Sequence, residues 1–208
     1  MIRILIADDH SIVRQGLKRI VGLETSMEVV AEAESGDQVL STLRDTAVDV
    51  IVLDISMPGR NGLETLKEVK RLYPQIGVVV LSMHPQDQYA VRVIRGGASS
   101  YLSKESAVDE LVTAIEKASR GEKHITADIA DLFADFIVRG SDEPHKELSD
   151  REFEVFKMIG LGKALTQISQ ELNLSVKTIS TYRTRIIDKT GLTNNAEMTR
   201  YLIGRGLI

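Results

Sequence analysis

The chain has 208 residues, 43% hydrophobic and 27% charged, ordinary values for a globular protein of one large domain or two small ones. It contains no Cys, and its four His residues, at 10, 84, 124 and 145, show no ligand spacing, which excludes disulfides and thiolate metal sites and leaves oxygen to hold any metal. No apolar stretch reaches transmembrane length and no leader precedes the first strand pattern, so a cytoplasmic protein without a membrane partner is expected.

The formal charge of −4 is unevenly spread. Residues 146–208 carry ten Lys or Arg against seven Asp or Glu, a balance of +3 that leaves −7 for residues 1–145. Two ends of opposite sign point to different partners.

As far as Gly121, short β-branched runs alternate with longer stretches of helical spacing. The expected strands are "IRILIA", "EVVAEA", "VDVIVLD", "GVVVLS" and "SSYLSK". Between them "SIVRQGLKRIVGL", "GDQVLSTLRDT", "NGLETLKEVKRLYP", "PQDQYAVRVIRGG" and "SAVDELVTAIEKASRG" place apolar residues three and four apart. Five strands alternating with five helices predict an α/β fold, a doubly wound, five-stranded parallel sheet covered on both faces. Ser106 followed by Asp109 resembles a helix cap, Pro74 follows a helix, and Gly96, Gly97 and Gly121 sit at helix ends. No internal repeat is found.

Residues 128–138 have the pattern of an amphipathic helix, and "RGSDEPHKE" reads as a linker. The expected organisation is a first domain over 1–123, a partly helical linker over 124–145, and a small all-α domain over 146–208. The last contains "SDREFEVFKMIGLG", "TQISQELN", "SVKTISTYRTRIIDKTG" and "NAEMTRYLIGRG" as four helical segments.

In a doubly wound parallel sheet, functional groups collect outside the carboxyl ends of the strands. The first strand ends at Asp8 and Asp9, the third at Asp54, the fourth at Ser82 and the fifth at Lys104. Each has a plain structural explanation on its own: a helix or turn cap, a satisfied hydroxyl, a structural ion pair. Together on one edge they make a site. Clustered carboxylates need a cation, and a sparse oxygen site suits Mg²⁺, which Asp8 and Asp9 would hold. Asp54 is then a candidate nucleophile for a phosphoryl group, with the metal and Lys104 neutralising the transferring oxygens and Ser82 bonding to them.

These residues, in "ADDH", "VLDISMPGRNG", "VLS" and "YLSK", make residues 1 to about 121 resemble the CheY-like receiver domain of two-component response regulators. The resemblance implies Asp54 as phospho-acceptor, Asp9 as a direct Mg²⁺ ligand, Asp8 as a ligand through water, and the Ser56 backbone carbonyl as another. It matches Pro58 and Gly62 to the turn after the acceptor and makes Ser82 and Tyr101 a switch pair, although by sequence Tyr101 reads as merely half-buried. It implies a histidine kinase as partner and no conventional enzyme activity. Many receivers have a cis Pro after the Lys; here Glu105 follows Lys104, and no cis bond is assumed.

The stretch "ALTQISQELNLSVKTISTYRTRIIDKTGL" reads as helix, turn, helix, with Asn173 in the turn and Ser175 as cap. In its second helix Lys177, Arg183, Arg185 and Lys189 face a single acid, Asp188, while Val176, Ile179, Ile186 and Ile187 can supply an apolar face. A charged outer face often only solvates, but as the second helix of this motif it suits a major groove. Residues 148–208 resemble the LuxR/NarL/FixJ-type DNA-binding domain at "LSDREFEVF", from Gly162 to Ile168, and at "LNLSVKTIS". Lys177, Thr181, Tyr182 and Arg185 are the candidate DNA contacts, with Arg183 on phosphate. Members often have Lys and His where Ser180 and Tyr182 stand. Met198, Tyr201 and Leu202 serve either core packing or, as in the family, dimerisation.

The expected function is a phosphorylation-controlled transcription regulator that binds double-stranded DNA, as a homodimer when phosphorylated, and admits RNA polymerase as a further partner. The alternative is a phosphate shuttle or sink whose helical domain docks a protein. A nucleotide-dependent kinase is set aside, since no Gly-rich loop ending in Lys-Ser or Lys-Thr occurs.

Overall fold

The computed structural model describes residues 1–83, 86–104, 107–139 and 144–208, with side chains left out at 86–88, 107–109 and 135–139. The chain forms two compact units, Met1–Ala134 and Asp135–Ile208.

In the first unit β1 (Ile2–Ala7), α1 (Ser11–Val21), β2 (Met27–Ala33), α2 (Gly36–Asp45), β3 (Val50–Asp54), α3 (Gly62–Leu72), β4 (Gly77–Ser82), α4 (Gln86–Arg95), β5 (Ser100–Ser103) and α5 (Ala107–Ser119) alternate as expected. The strands lie in one parallel sheet of order β2-β1-β3-β4-β5. The order reverses between β1 and β3, the point at which such sheets bind ligands.

Sequence pattern and position in the sheet agree. β3 and β4, apolar almost throughout, are buried at every residue, whereas β2, which mixes in Glu28 and Glu32, forms an edge. Side chains alternate between faces. Ile4, Ile6, Val50, Val52, Val79 and Leu81 meet Leu17 and Val21 of α1 and Leu111 and Ile115 of α5 in one core. The intervening Leu5, Ile51, Leu53, Val78 and Val80, equally buried, face the other side.

Caps mark the helix starts. Ser35 accepts from the Gln38 amide and Asn61 from the Glu64 amide. Gly97 and Gly121 turn at positive φ, as helix-ending glycines do. The expected cap at Ser106 lies outside the described residues, as does the bond from Lys104 to Glu105. Beyond α5, the His124 amide donates to Ser99 O over 2.8 Å, which covers part of the β5 edge before α6 (Ala127–Arg139) begins.

The second unit holds α7 (Asp150–Gly160), α8 (Leu165–Glu171), α9 (Val176–Thr190) and α10 (Asn195–Gly204). Ser149 and Glu152 form a reciprocal capping box at the start of α7. Phe153, Phe156 and Ile159 of α7 are buried with Ile168, Ile179, Ile186, Met198 and Leu202. Core packing is therefore what Met198 and Leu202 do, while Tyr201 is half-buried.

The stretch expected as linker does not end as one. Pro144–Glu147 is a turn of 3₁₀ helix, and His145 is buried, its Nδ1 2.8 Å from the Tyr201 hydroxyl and its ring 5.9 Å from Phe153. Composition suggested a linker because Pro and charge dominate there, but one aromatic anchor suffices to fold the segment onto the helical unit.

Gly62 opens α3 where the chain returns past β3. A Cβ there would lie 2.2 Å from Asp54 O and 2.6 Å from Ile55 Cα, both backbone atoms that cannot step aside. Gly62→Ala is expected to destabilise the first unit by about 2 kcal/mol. Chemical denaturation checks this, and an unchanged midpoint would contradict the close approach.

Candidate functional site

Strand register assembles the site. Ala7 lies beside Leu53, Asp54 beside Leu81 and Ser82 beside Ser103, so the carboxyl ends of β1, β3, β4 and β5 share one edge. Asp8 and Asp54 are buried there, and Asp9 is partly exposed. Lys104 reaches both buried carboxylates, Nζ lying 2.6 Å from Asp8 Oδ2 and 3.0 Å from Asp54 Oδ2.

These charges shift one another. Burial raises the Asp54 carboxyl above its ordinary pKa; Lys104 pulls it back and Asp8 pushes it further up. Burial would lower the Lys104 ammonium, but bonds to Asp8 and Asp54 outweigh it and hold the group above its usual value. Asp54 Oδ1 is buried without a hydrogen-bond partner, and the Ser56 backbone amide donates to the same carboxylate. An unpaired buried oxygen is costly unless something electropositive meets it.

Ser82 is fully buried at the end of β4, and its carbonyl accepts from the Lys104 amide over 2.9 Å. Tyr101 is fully buried rather than half-buried. It sits two residues before Ser103, the register partner of Ser82, and so shares a sheet face with Ser82. A strand covered by α4 has no open side on which the ring could remain half in water.

Two contributors were absent from the sequence reading. His10 Nδ1 lies 2.9 Å from Asp9 Oδ1 and 3.2 Å from Asp8 Oδ1. Arg14, buried on α1, donates from Nη1 to the Asp8 carbonyl over 2.8 Å and pairs with Glu32 at 3.1 Å and Glu34 at 2.7 Å. It anchors the backbone that presents Asp8. A signal existed: Arg14 stands three residues before the core residue Leu17, a charge on the apolar stripe of its helix.

In the second unit, Asn173 turns at φ 52° between α8 and α9, and Ser175 caps α9 by accepting from the Thr178 amide over 3.0 Å. Ile179 and Ile186 are buried on the inner face of α9. Lys177, Thr181 and Arg185, spaced four apart, form an exposed stripe with Thr184 and Asp188. Tyr182 and Arg183 are half-buried beside it, and Arg183 lies 3.3 Å from Asn195 Oδ1.

Two expectations for α9 are corrected. Val176 is 43% exposed rather than packed, because it begins the helix ahead of the stretch that meets the core. Lys189, still exposed, pairs back onto the domain rather than standing free on the outer basic face, with Nζ 2.6 Å from the buried Glu152. Burial alone would raise the Glu152 carboxyl, yet Lys189 and the Ser149 amide hold it below the usual range.

Among the described residues no helix is long and apolar enough to cross a membrane. Residues 4–116 match the response regulator receiver domain, and residues 146–202 match the bacterial regulatory proteins of the luxR family. The response regulator UvrY of Escherichia coli is 36% identical over 209 residues, covering 100% of this chain and 96% of UvrY. RcsB from Salmonella enterica serovar Typhimurium, solved bound to promoter P1flhDC with the phosphomimetic BeF₃⁻, superposes with a TM-score of 0.69 at 28% identity, covering 97% of this chain and 98% of RcsB. A structure of two RcsB dimers on two parallel DNAs gives 0.61 at 27% identity, covering 97% of both chains. With an acidic pocket at the switch point of one unit and a basic second helix in the other, these matches decide against a phosphate shuttle. The chain belongs to the response regulators with a receiver domain and a LuxR-type domain, DNA-binding regulators of transcription in two-component systems.

Proposed function

We propose that Asp54 accepts a phosphoryl group from a histidine kinase and that the modified receiver controls DNA binding through α9. The observation that carries this reading is the buried Asp54 carboxylate, one oxygen held by Lys104 and the other without a partner. An Asp54 oxygen attacks phosphorus of the phosphohistidine, the P–N bond breaks, and the imidazole leaves with a proton. The chain thus promotes its own phosphorylation without being a conventional enzyme.

Three carboxylates facing one ammonium, with an unpaired buried oxygen among them, fit a hard dication. Asp8, Asp9, Asp54 and the Ser56 carbonyl would hold Mg²⁺. When bound, it neutralises charge on the transferring oxygens. Lys104 supplies the remaining positive charge, and the Ser82 hydroxyl bonds the new phosphoryl group. A phosphoryl group brings about −1.5 to −2 charge. Movement of Ser82 toward it opens space on the face it shares with Tyr101, which makes the two a switch pair and selects a receiver conformation already in the ensemble.

On the output side, Lys177, Thr181 and Arg185 supply the stripe that enters the major groove, Tyr182 flanks it, and Arg183 contacts phosphate. The RcsB complexes with DNA, and their dimers, support double-stranded DNA as partner and a homodimer as the phosphorylated form. RNA polymerase is a further partner at a promoter. The domains are assigned as receiver 1–123, a partly helical linker from 124 to about 143, and the DNA-binding domain with the Pro144–Glu147 turn packed onto it, working in the cytoplasm.

Phosphorylation by a small-molecule donor with Mg²⁺ should add one phosphoryl mass to the wild type and none to Asp54→Asn; labelling of the variant would remove Asp54 as acceptor. Lys177→Ala and Arg185→Ala should each weaken DNA binding and relax its sequence preference, with phosphorylation unaffected, while Arg183→Ala should flatten the log–log salt dependence by about 1. Unchanged affinity and preference in the first two variants would contradict the assigned stripe.

The raised Asp54 carboxyl also makes a pH prediction. A folded pKa above the unfolded one stabilises the fold below the ordinary carboxylate range, and that contribution is lost as pH rises through the raised value. Asp54→Asn, with Lys104 still paired to Asp8, should therefore raise the denaturation midpoint at about pH 7 and gain little at about pH 4. Equal gains at both would place the effect elsewhere than ionisation.

A further inference from the structure

His10 is the N-cap residue of α1, yet its side chain makes no cap bond. Ser, Thr, Asp or Asn would satisfy an amide there. The imidazole instead lies against the carboxylates: Nδ1 is 2.9 Å from Asp9 Oδ1 and 3.2 Å from Asp8 Oδ1, while the His10 amide donates to Asp8 Oδ1 over 2.8 Å. One donor atom each from Asp8, Asp9, His10 and Asp54 lie within 4.8 Å of one another. Ligands at about 2.0–2.2 Å from one ion stand up to about 4 Å apart, so small side-chain adjustments would gather all four.

Two further observations mark this as more than an acidic patch. Asp54, only 2% exposed, brings Oδ1, a buried oxygen with no hydrogen-bond partner. Lys104 occupies Asp8 Oδ2, whereas the His10 side chain is 65% exposed and Asp9 30%, so an ion can enter from their side.

Oxygen donors alone suit magnesium, but an imidazole nitrogen adds little for so hard an ion and much for borderline ones such as Co²⁺, Ni²⁺ and Zn²⁺. We propose that His10 makes the pocket a mixed nitrogen and oxygen site that binds divalent transition metals of this class in competition with Mg²⁺. Asp8, Asp9 and Asp54 serve both kinds of ion, and His10 discriminates between them. The inference rests on the acidic-pocket reading above and adds an inhibitory class of ligand, since a transition metal held through His10 excludes magnesium.

The test uses the full chain stripped with a chelator. Co²⁺ is titrated while its visible d–d bands are followed, and Mg²⁺ is titrated separately by calorimetry. Wild type is compared with His10→Ala and with His10→Asn, which restores a favoured helix cap but no imidazole. Both variants should lose about tenfold or more in Co²⁺ affinity, with a changed Co²⁺ spectrum, while Mg²⁺ affinity stays within about twofold. Unchanged Co²⁺ affinity and spectrum would overturn the proposal. So would a parallel loss for both metals, which would mean that His10 only shapes the loop. Should wild type fail to bind Mg²⁺ while Co²⁺ binding still depends on His10, the phospho-acceptor reading falls and the transition-metal site stands.

Discussion

Lys104 holds a single positive charge between two carboxylates that the sheet has taken out of water, at 2.6 Å from one and 3.0 Å from the other. Removing that one ammonium typically costs about 3–5 kcal/mol, because the buried carboxylates left behind keep their desolvation penalty. Even intact, the set is short of positive charge. One ammonium faces Asp8 and Asp54, with Asp9 at the rim; burial, with Asp8 adding to it, raises the Asp54 carboxyl further than Lys104 lowers it. The pocket therefore gains from a proton, from a cation, or from changing what Asp54 is. A receiver uses this shortage: a site that is electrostatically satisfied would have no reason to admit a metal or to reorganise around a new phosphoryl group.

Much of the surrounding fold serves that arrangement. Register brings four strand ends to one edge, and the Gly62 turn lets α3 start against the Asp54 backbone. Arg14, itself satisfied by Glu32 and Glu34, holds the Asp8 carbonyl. These are buried or backbone-level constraints and tolerate little change. The helical unit repeats the logic on a smaller scale: Lys189, one of the basic residues of α9, neutralises the buried Glu152 that also caps α7.

The alternation of strands and helices and the gathering of Asp8, Asp9, Asp54, Ser82 and Lys104 at strand ends were legible, because each is a local pattern read at a known place in a doubly wound sheet. What escaped depended on contacts between distant segments. Arg14 pairs with residues eighteen and twenty positions away, His145 with Tyr201 fifty-six away, and Lys189 with Glu152 thirty-seven away. Periodicity assigns a face but not a partner. It placed Lys189 with the other basic residues, and it left Tyr101 half-buried when the packing of its strand buries the ring completely.

Burial of Tyr101 constrains the switch proposed for this receiver. A fully buried ring on the same face as Ser82 cannot turn inward further unless the space beside it changes, because packed interiors adopt discrete arrangements rather than deforming smoothly. Ser82 is the neighbour on that face that also reaches the acidic edge, and its carbonyl is bonded to the Lys104 amide. A phosphoryl group on Asp54 would thus act on the hydroxyl of a residue whose backbone is already tied to the counter-charge. In the proposed function, a displacement of Ser82 alters the pocket and the packing around Tyr101 together, which couples a charge at the strand ends to the far side of β5.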